Sequence, residues 1–552
     1  MSQTSPEGSP EPDQQPSGGG GGRGGSRGRQ VVAVLLAAAL VVVLAAAGFA
    51  AWKGQDDDPA ADPSPSRDTG APSPSTSTPD DGASAAAGLD MEQYYAQRLD
   101  WSDCGGNQCA ALKVPLDYAH PEAKAIQLAV LRVPASDQGA RQGAIVVNPG
   151  GPGGSGVQYA AAGALQFGRV LTSSYDIVGF DPRGVGQSTP LECIGTQQLD
   201  DLVEFDPDPD TAAERRQLDR MLHGFGEGCL EHSGALARHM STVEAAKDMD
   251  ILRAALGEQK LDYLGASYGT FLGATYADLF PQRVDKMVLD GALDPALSNE
   301  QLSLQQAHGF ETALRAYIKD CVDQGGCYLG DSVDAGAKRI QQFYAQLEKK
   351  PLPTGDPDRP LTAGLGMIGT WLPLYVKSFW PQLTVAMRSA MEQGDGRGLL
   401  KLADLYLSRG DDSYTDNSME VLYAVNCLDH DDYIPSSKVP SHFAEFEKAS
   451  PTFGRAFAFG LSTCSTWPIR SGNTTHALHA KGAPPILVIG TTRDPATPLE
   501  WAKALADQLD SGVLIVRDGD GHTGFNQGNS CVDGAVEGYF TQGKVPQDGL
   551  RC

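Results

Sequence analysis

The stretch LDYLGASYGTFLG, residues 261–273, sets one serine between two glycines, after a short apolar run and before a segment of helical character. Its pattern, Gly265-x-Ser267-x-Gly269, is typical of a sharp turn that leads from a strand into a helix. Such a turn needs small residues two positions before and two positions after the serine, because larger side chains there would clash. It also lifts the hydroxyl above the carboxyl edge of a sheet, at the N-terminus of the next helix. Ser267 is therefore a candidate nucleophile.

The three-residue pattern is a weak signal by itself, since the chain holds 65 glycines. A second copy, Gly24-x-Ser26-x-Gly28, lies in an N-terminal glycine tract, with no predicted strand before it and no predicted helix after it. The context of Ser267 favours a nucleophile, whereas a glycine–serine loop without chemistry is the alternative.

Strand and helix signals alternate around Ser267, as they do in sheets whose parallel strands are joined by helices. The first signals predict strands at 125–135, 143–151, 175–184, 261–267 and 284–295, and helices at 241–257 and 268–281. A largely helical segment then begins, and the alternation returns with a strand, a helix and a strand at 483–498, 499–510 and 512–522. The sequence predicts an α/β fold whose mainly parallel sheet, flanked by helices, is interrupted by a large helical cap. We place the core at 89–295 and 481–552 and the cap at 296–480.

The N-terminal 88 residues carry no globular pattern. Residues 1–30 are predicted to be a disordered tail and residues 53–88 a disordered linker, because both are polar and rich in Gly, Ser or Pro. Residues 31–52 are uncharged and would span about 33 Å as a helix, enough for a hydrocarbon core of about 30 Å. Arginines precede this segment and aspartates follow it, so the positive-inside bias predicts a single-pass anchor with the rest of the chain outside the cytoplasm. Cleavage as a signal peptide, which would leave a secreted protein, is the alternative.

Ten cysteines, found from Cys104 onward, fit a chain exported to an oxidising compartment, where an even count favours disulfides. Sequence does not fix their connectivity. The pairs guessed from short range are Cys104–Cys109, Cys193–Cys229, Cys321–Cys327, Cys427–Cys464 and Cys531–Cys552. The chain has no paired CxxC motifs, which argues against a metal site. The net charge of -26 argues against nucleic acid as a partner.

A serine hydroxyl needs a base, and the base needs an acid that orients it. His522, in RDGDGHTGF, is the one histidine of ten that follows a late core strand, so it is the predicted base. Asp494, in VIGTTRDPATP, follows the preceding core strand and is the predicted acid. The rival carboxylates are Asp290, Asp294 and Asp520. The order Ser267, Asp494, His522 is the chain order of an α/β-hydrolase.

A developing oxyanion needs N–H donors, and NPGGPGGSG, residues 148–156, follows an early predicted strand. Glycines allow the backbone N–H groups to approach a negative charge. The predicted donors are the N–H of Gly151 and the N–H of Tyr268, directly after Ser267. The alternative, a phosphate-binding loop, does not fit the spacing GxxxxGK[ST].

Four segments together resemble the α/β-hydrolase superfamily and, within it, the proline iminopeptidase and tripeptidyl aminopeptidase family of serine exopeptidases. PGGPGGSG is similar to that family's His-Gly-Gly-Pro-Gly oxyanion motif, with Pro149 in the place of the histidine. DPRGVGQS, residues 181–188, matches its Asp-x-Arg-Gly-x-Gly-x-Ser stretch, and GASYGT matches its nucleophile turn. GTTRDPATP and GHTGF resemble its C-terminal half. The resemblance covers most of residues 100–552.

The resemblance implies a serine peptidase that removes short peptides, tripeptides foremost, from free N-termini through an acyl-enzyme, without metal or cofactor. The cap would close the non-primed side of the site, and Glu420 and Asp429 are candidate acids for the substrate ammonium. The implied partners are peptides with a free N-terminus and, through residues 31–52, a membrane. The oligomeric state is open. An extracellular carboxylesterase or lipase on the same fold is the alternative, followed by a non-catalytic surface binding protein.

Overall fold

The computed structural model describes residues 88–472 and 475–552. The predicted tail, membrane helix and all but the last residue of the linker lie outside the described residues. Within the described ranges, no helix combines the length and the apolar character that a membrane span requires.

One ten-stranded sheet forms the centre of the fold. Its strands, in chain order, are β1 Ser102–Cys104, β2 Asn107–Pro115, β3 Ala125–Val133, β4 Gly143–Asn148, β5 Tyr175–Phe180, β6 Leu261–Ala266, β7 Val284–Asp290, β8 Ile486–Arg493, β9 Gly512–Asp520 and β10 Leu550–Arg551. They lie in the order β1-β2-β3-β5-β4-β6-β7-β8-β9-β10. The pairs from β1 to β5 are antiparallel, and every pair from β5 through β4 to β10 is parallel. This confirms the predicted mainly parallel sheet.

The central strands are largely apolar because both faces of the sheet are covered. Strands β4, β5 and β6 are buried at every position. Successive residues point to opposite faces, so Val146 and Tyr263 pack into one apolar cluster, whereas Val147 and Leu264 pack into the other. This two-sided burial explains why the sequence predicts these strands well.

Seventeen α-helices lie within the described residues. In chain order they are α1 Met91–Ala96, α2 Gly156–Ala161, α3 Ala164–Ser174, α4 Thr196–Glu204, α5 Ala212–Ser233, α6 Thr242–Ala255, α7 Tyr268–Leu279, α8 Asn299–Asp323, α9 Val333–Lys349, α10 Ala363–Tyr375, α11 Trp380–Gln393, α12 Arg397–Leu407, α13 Ser418–Asp429, α14 Phe443–Ala449, α15 Gly454–Ala458, α16 Leu499–Gln508 and α17 Ser530–Gln542. Helices α8–α15 fall between β7 and β8, which is where the sequence places the helical insertion.

Helices α4 and α5 pack against this insertion, although the sequence places them with the core. Asp200 of α4 forms an ion pair with Arg409, with 3.0 Å between Oδ2 and Nη2. In α5, Asp219 accepts a hydrogen bond of 2.8 Å from the Ser436 hydroxyl. The surface that faces the insertion thus comes from two separate stretches of chain.

Five disulfides cross-link the described chain, and they are the five pairs guessed from the sequence. Two of them hold strands for which the sequence gives no signal. Cys104–Cys109 closes the hairpin of β1 and β2, and Cys531–Cys552 ties the end of the chain, just after β10, to α17.

Candidate active site

Ser267 lies at the turn between β6 and α7, as its sequence context predicts. Its backbone has φ 57° and ψ -127°, a strained conformation for a residue with a side chain. A Cβ on Gly265 would lie 2.3 Å from the Gly269 carbonyl oxygen, and a Cβ on Gly269 would lie 2.8 Å from the Asn148 carbonyl oxygen. The two glycines therefore provide the space that the turn needs.

The carboxyl ends of neighbouring strands bring the predicted base to the same edge of the sheet. The Ser267 N–H donates to the carbonyl of Asp290, at the end of β7, over 2.9 Å. The next residue, Gly291, donates its N–H to Ile489 of β8 over 3.0 Å. A Cβ on Gly291 would lie 3.1 Å from Cε1 of His522, so the imidazole lies against the strand next to that of Ser267.

His522 and Asp494 form a close pair in the loops after β9 and β8. The Nδ1 atom of His522 lies 2.9 Å and 2.8 Å from the two carboxylate oxygens of Asp494. The Asp494 side chain is fully buried, and the His522 side chain is 11% exposed. This is the geometry by which a carboxylate fixes the tautomer of an imidazole and stabilises its charged form.

The Asp494 carboxylate accepts further hydrogen bonds that fix its position. Its Oδ1 receives the N–H groups of Ala496 and Thr497 at 3.0 Å and 2.9 Å. Its Oδ2 receives the Thr497 hydroxyl at 3.1 Å and the Thr523 N–H at 3.2 Å. Thr497 Oγ1 also lies 3.3 Å from His522 Nδ1. No sequence pattern marks Thr497 beyond its place in the loop after β8.

The second nitrogen of the imidazole is the atom that would accept the serine proton. The Nε2 atom of His522 is buried and has no hydrogen-bond partner among the described residues, Ser267 Oγ included. In the absence of substrate this serine–histidine bond is often loose and tightens in the complex. Burial by itself would lower the pKa of His522, but the charge and the hydrogen bond of Asp494, with the charge of Asp290, raise it above its ordinary value.

The cap contributes to the surroundings of the imidazole through Tyr375, the last residue of α10. The Tyr375 carbonyl accepts the His522 N–H over 2.8 Å. The Tyr375 ring stands edge-on to the imidazole, with 5.3 Å between the ring centres. The backbone and the ring of His522 are thus both supported from the cap.

The glycine loop after β4 lies directly against the nucleophile. A Cβ on Gly150 would lie 2.8 Å from Ser267 Cβ and 2.9 Å from the Tyr268 nitrogen. The Gly150 N–H donates a hydrogen bond to Asn148 Oδ1 over 2.9 Å. Neither of the two predicted oxyanion donors, the N–H of Gly151 and the N–H of Tyr268, has an acceptor among the residues that the structure describes.

Side chains of the motif DPRGVGQS stabilise this glycine loop through hydrogen bonds. Asp181 accepts hydrogen bonds from the Ser155 hydroxyl at 2.6 Å and from the Gln187 N–H at 2.9 Å. Arg183, fully buried, binds both carboxylate oxygens of Asp248 at 2.8 Å and 2.7 Å. The motif that carries part of the family resemblance is therefore structural, since it links the loops after β4 and β5 to α6.

Two rival acids have other partners. Asp290 accepts the N–H groups of Gly524 and Phe525 at 2.8 Å and 2.9 Å, and thereby anchors the loop that follows His522. Burial raises the pKa of Asp290 to about 6, while these hydrogen bonds oppose the rise. Asp520 pairs with Lys377 and Arg493. Neither carboxylate is hydrogen-bonded to the imidazole.

The two candidate ammonium-binding acids are occupied by groups of the protein. Glu420 Oε1 accepts the N–H groups of Cys193 and Ile194 at 2.9 Å and 3.0 Å. Asp429 accepts the N–H of Thr242 at 3.0 Å and its hydroxyl at 2.5 Å. The hydrogen bonds in the structure give an ammonium role to neither acid, so that role stays a prediction.

This chain is similar to a described protein family and to several known proteins. A family model described as TAP-like protein matches residues 450–552. Serine protease Hip1 of Mycobacterium tuberculosis is 36% identical over 487 residues, which cover 84% of this chain and 92% of the relative. Tripeptidyl aminopeptidase of Streptomyces lividans is 34% identical over 479 residues, covering 82% and 86%. Carboxylesterase B of Mycobacterium tuberculosis is 34% identical over 463 residues, covering 82% and 88%.

Proposed function

We propose a function from one premise: the chain belongs to the tripeptidyl aminopeptidase-like family of α/β-hydrolases and is a serine peptidase of the aminopeptidase type. The proposal is that it removes short peptides, tripeptides foremost, from the free N-termini of polypeptides outside the cytoplasm. The observation that carries the proposal is the His522–Asp494 pair at the sheet edge where the strained Ser267 also lies; its second imidazole nitrogen is buried and has no hydrogen-bond partner among the described residues.

In the proposed reaction, Ser267 Oγ attacks the scissile carbonyl carbon while His522 Nε2 accepts the hydroxyl proton. The carbonyl oxygen becomes an oxyanion, which the N–H groups of Gly151 and Tyr268 stabilise. The imidazolium, stabilised by Asp494, then gives its proton to the leaving amine as the C–N bond breaks. Water, deprotonated by the same histidine, hydrolyses the acyl-enzyme and regenerates the serine.

Replacing the nucleophile tests this proposal. We expect Ser267→Ala to lower kcat by about three orders of magnitude or more without a change in the fold, because the acyl-enzyme can no longer form. The assay is mass spectrometry of the fragments released from a ladder of unblocked peptides, with circular dichroism as the control for folding. Turnover close to that of the unmodified protein would refute the nucleophile.

The free N-terminus is tested separately with the same peptides carrying an acetyl group. We expect acetylation to abolish cleavage, since an aminopeptidase requires the free amine. The masses of the fragments show how many residues each cut removes. Cleavage of acetylated peptides at internal bonds would instead make the protein an endopeptidase.

A carboxylesterase is the second candidate, because a relative of 34% identity bears that name. The same triad can hydrolyse esters by the same acyl-enzyme. Short-chain aryl esters assayed beside the peptide panel separate the two activities. Esterase turnover without any peptide cleavage would favour this alternative.

Residence outside the cytoplasm is part of the proposal, and the disulfides support it. Five disulfides in the described chain suit an oxidising compartment and are rare in the cytosol. The anchor at residues 31–52 is the proposed means by which the enzyme stays at the membrane.

A further inference from the structure

A buried chain of three hydrogen-bonding side chains begins at the residue after the nucleophile. The hydroxyl of Tyr268 lies 2.5 Å from Thr242 Oγ1, and Thr242 Oγ1 lies 2.5 Å from Asp429 Oδ2. The Thr242 hydroxyl has a single hydrogen and donates it to the carboxylate, so the Tyr268 hydroxyl must donate to Thr242. The three residues are 7%, 1% and 6% exposed, so water does not compete for these bonds.

The chain connects three elements that are distant in sequence. Tyr268 opens α7, Thr242 opens α6, and Asp429 closes the cap helix α13. The Asp429 carboxylate also accepts the Thr242 N–H at the N-terminus of α6, where a negative charge is favourable. The cap is therefore linked, through Asp429 and then Thr242, to the side chain of the residue whose N–H is a predicted oxyanion donor.

The other end of α13 lies against the glycine loop that carries Gly151, the second predicted oxyanion donor. A Cβ on Gly153 would lie 2.5 Å from the carbonyl oxygen of Ser418, the first residue of α13. Gly153 is two residues after Gly151 in the glycine loop. One cap helix thus touches the glycine loop at its N-terminus and the Tyr268–Thr242 pair at its C-terminus.

Fixing the Tyr268 side chain matters because its backbone follows a strained residue. The conformation of Ser267 persists only when the surrounding structure restrains it. The direction of the Tyr268 N–H is set by the same peptide unit, and an oxyanion donor is effective only when it is preorganised. A hydrogen bond at the far end of the tyrosine adds a restraint that α7 alone does not provide.

We propose that Asp429 is a positioning residue for the oxyanion site: through Thr242 it holds the Tyr268 side chain, and with it the Tyr268 N–H, in the place that stabilises the transition state. This inference rests on the proposed function, because it assigns the Tyr268 N–H to the oxyanion. The competing explanation is that the same bonds only join the cap to the core. That explanation predicts lost stability without a specific loss of transition-state binding.

The experiment compares three substitutions along the chain with a matched pair elsewhere, all in the full-length protein. Asp429→Asn, Thr242→Val and Tyr268→Phe each remove one member of the chain, and Thr242→Ser restores the hydroxyl. The controls are Tyr414→Phe and Asp200→Asn. Tyr414 donates over 2.8 Å to Asp200, a buried carboxylate of α4 that also binds Arg409, so this pair has the same chemistry away from Tyr268.

The measurements are kcat and KM on an unblocked peptide, the inhibition constant of a peptide aldehyde, and the melting temperature. An aldehyde bonds to the serine oxygen and places its former carbonyl oxygen in the oxyanion site, so its affinity reports on the donors. We expect kcat to fall by about tenfold to a hundredfold, since complete loss of one donor costs about 10²- to 10³-fold. The affinity for the aldehyde should fall by a similar factor, while KM changes by less than about threefold. This combination is the signature of an interaction made in the transition state.

The expected pattern is that Thr242→Ser stays close to the unmodified enzyme, and that the control pair loses melting temperature but keeps kcat and aldehyde affinity. The inference is overturned if the three chain variants behave like the control pair. If Asp429→Asn does not fold, Thr242→Val against Thr242→Ser decides the question. An unmodified enzyme that neither cleaves peptides nor reacts with a fluorophosphonate would instead overturn the proposed function.

Discussion

At the scale of single residues, the site separates two buried carboxylates that lie close to one imidazole. Both carboxylate oxygens of Asp494 accept hydrogen bonds, and they also contact His522. Asp290 instead accepts backbone N–H groups of the loop that follows His522. Both charges raise the pKa of His522, but only Asp494 also bonds to the ring. In the proposed mechanism the two acids therefore differ in role: Asp494 orients the base, and Asp290 holds the loop that carries it.

This difference predicts a change in pH dependence for Asp494→Asn. The base must be neutral, so kcat/KM should rise with pH through the pKa of His522, which lies above its ordinary value of about 6.5. Without the Asp494 charge, burial dominates and lowers that pKa, so the acid limb should move to lower pH. The rate should also fall by about 10³- to 10⁴-fold, because the tautomer is no longer fixed.

The measurement is a pH profile of kcat/KM for the unmodified enzyme, for Asp494→Asn and for Asp520→Asn. Asp520 lies two residues from His522 but pairs with Lys377 and Arg493, so its loss should leave the limb in place. If the acid limb of the profile does not move in Asp494→Asn, the result contradicts the role assigned to Asp494.

At the scale of elements, the turn between β6 and α7 depends on how closely α7 approaches β4. Gly269 faces the carbonyl and the side chain of Asn148, the last residue of β4. The same asparagine side chain accepts a hydrogen bond from the Gly150 N–H in the glycine loop. Helix, strand and glycine loop therefore meet at one point, and a disturbance there should reach both proposed oxyanion donors.

We expect Gly269→Ala to damage both stability and activity. The added methyl group would lie 2.8 Å from the Asn148 carbonyl oxygen, so helix and strand must separate. Overpacking of this kind costs about 1–3 kcal/mol of unfolding free energy, and a displacement of about 1 Å in a site costs about a hundredfold in rate. Thermal melting and kcat/KM measure the two effects.

Gly538→Ala is the matched control for this substitution. Gly538 lies inside α17, and apart from its own stretch of helix no atom of the described residues lies within 4 Å of the position of an added Cβ. Because alanine favours helix over glycine, this variant should gain up to about 1 kcal/mol and keep its activity. Equal behaviour of the two glycine variants would show that the close approach at Gly269 has no consequence.

Individual elements also show what the sequence could predict and what it could not. Strands such as β4 and β7 are predictable because each contains a continuous run of buried apolar residues, but the predictions extend past their ends, to residues 151 and 295 instead of 148 and 290. The excess residues form the glycine loop and the turn after Asp290. Single-sequence patterns do not mark where backbone pairing stops and a functional loop begins.

At the scale of the whole molecule, the chemistry depends on contacts between stretches that are far apart in sequence. Ser267, Asp494 and His522 are predictable as candidate site residues because each follows a core strand, and the ends of parallel strands meet at one edge of a sheet. The Tyr268–Thr242–Asp429 chain is not, since Asp429 lies 187 residues from Thr242 and no local pattern links them. The cap therefore contributes to the site in a way that appears only after folding.

The arrangement of the chain leads to a last prediction, on the predicted anchor at residues 31–52. Every residue assigned to the site lies within the described chain from residue 88 onward, which begins with a capping box between Asp90 and Gln93 at α1. A protein that starts at residue 88, exported so that its disulfides form, should remain soluble and match the kcat/KM of the full-length chain. The full-length chain should sediment with membranes and be released by detergent but not by salt.

The control replaces two residues inside the predicted anchor, Leu40→Arg and Val43→Arg, in the full-length chain. A charged residue at the centre of a membrane helix costs about 2.5–3.5 kcal/mol on insertion scales, so two should prevent stable anchoring. N-terminal sequencing of the exported protein distinguishes the alternatives, because cleavage near residues 47–51 would mean a secreted enzyme. Uncleaved full-length protein in the soluble fraction would refute the anchor and leave the proposed peptidase chemistry unaffected.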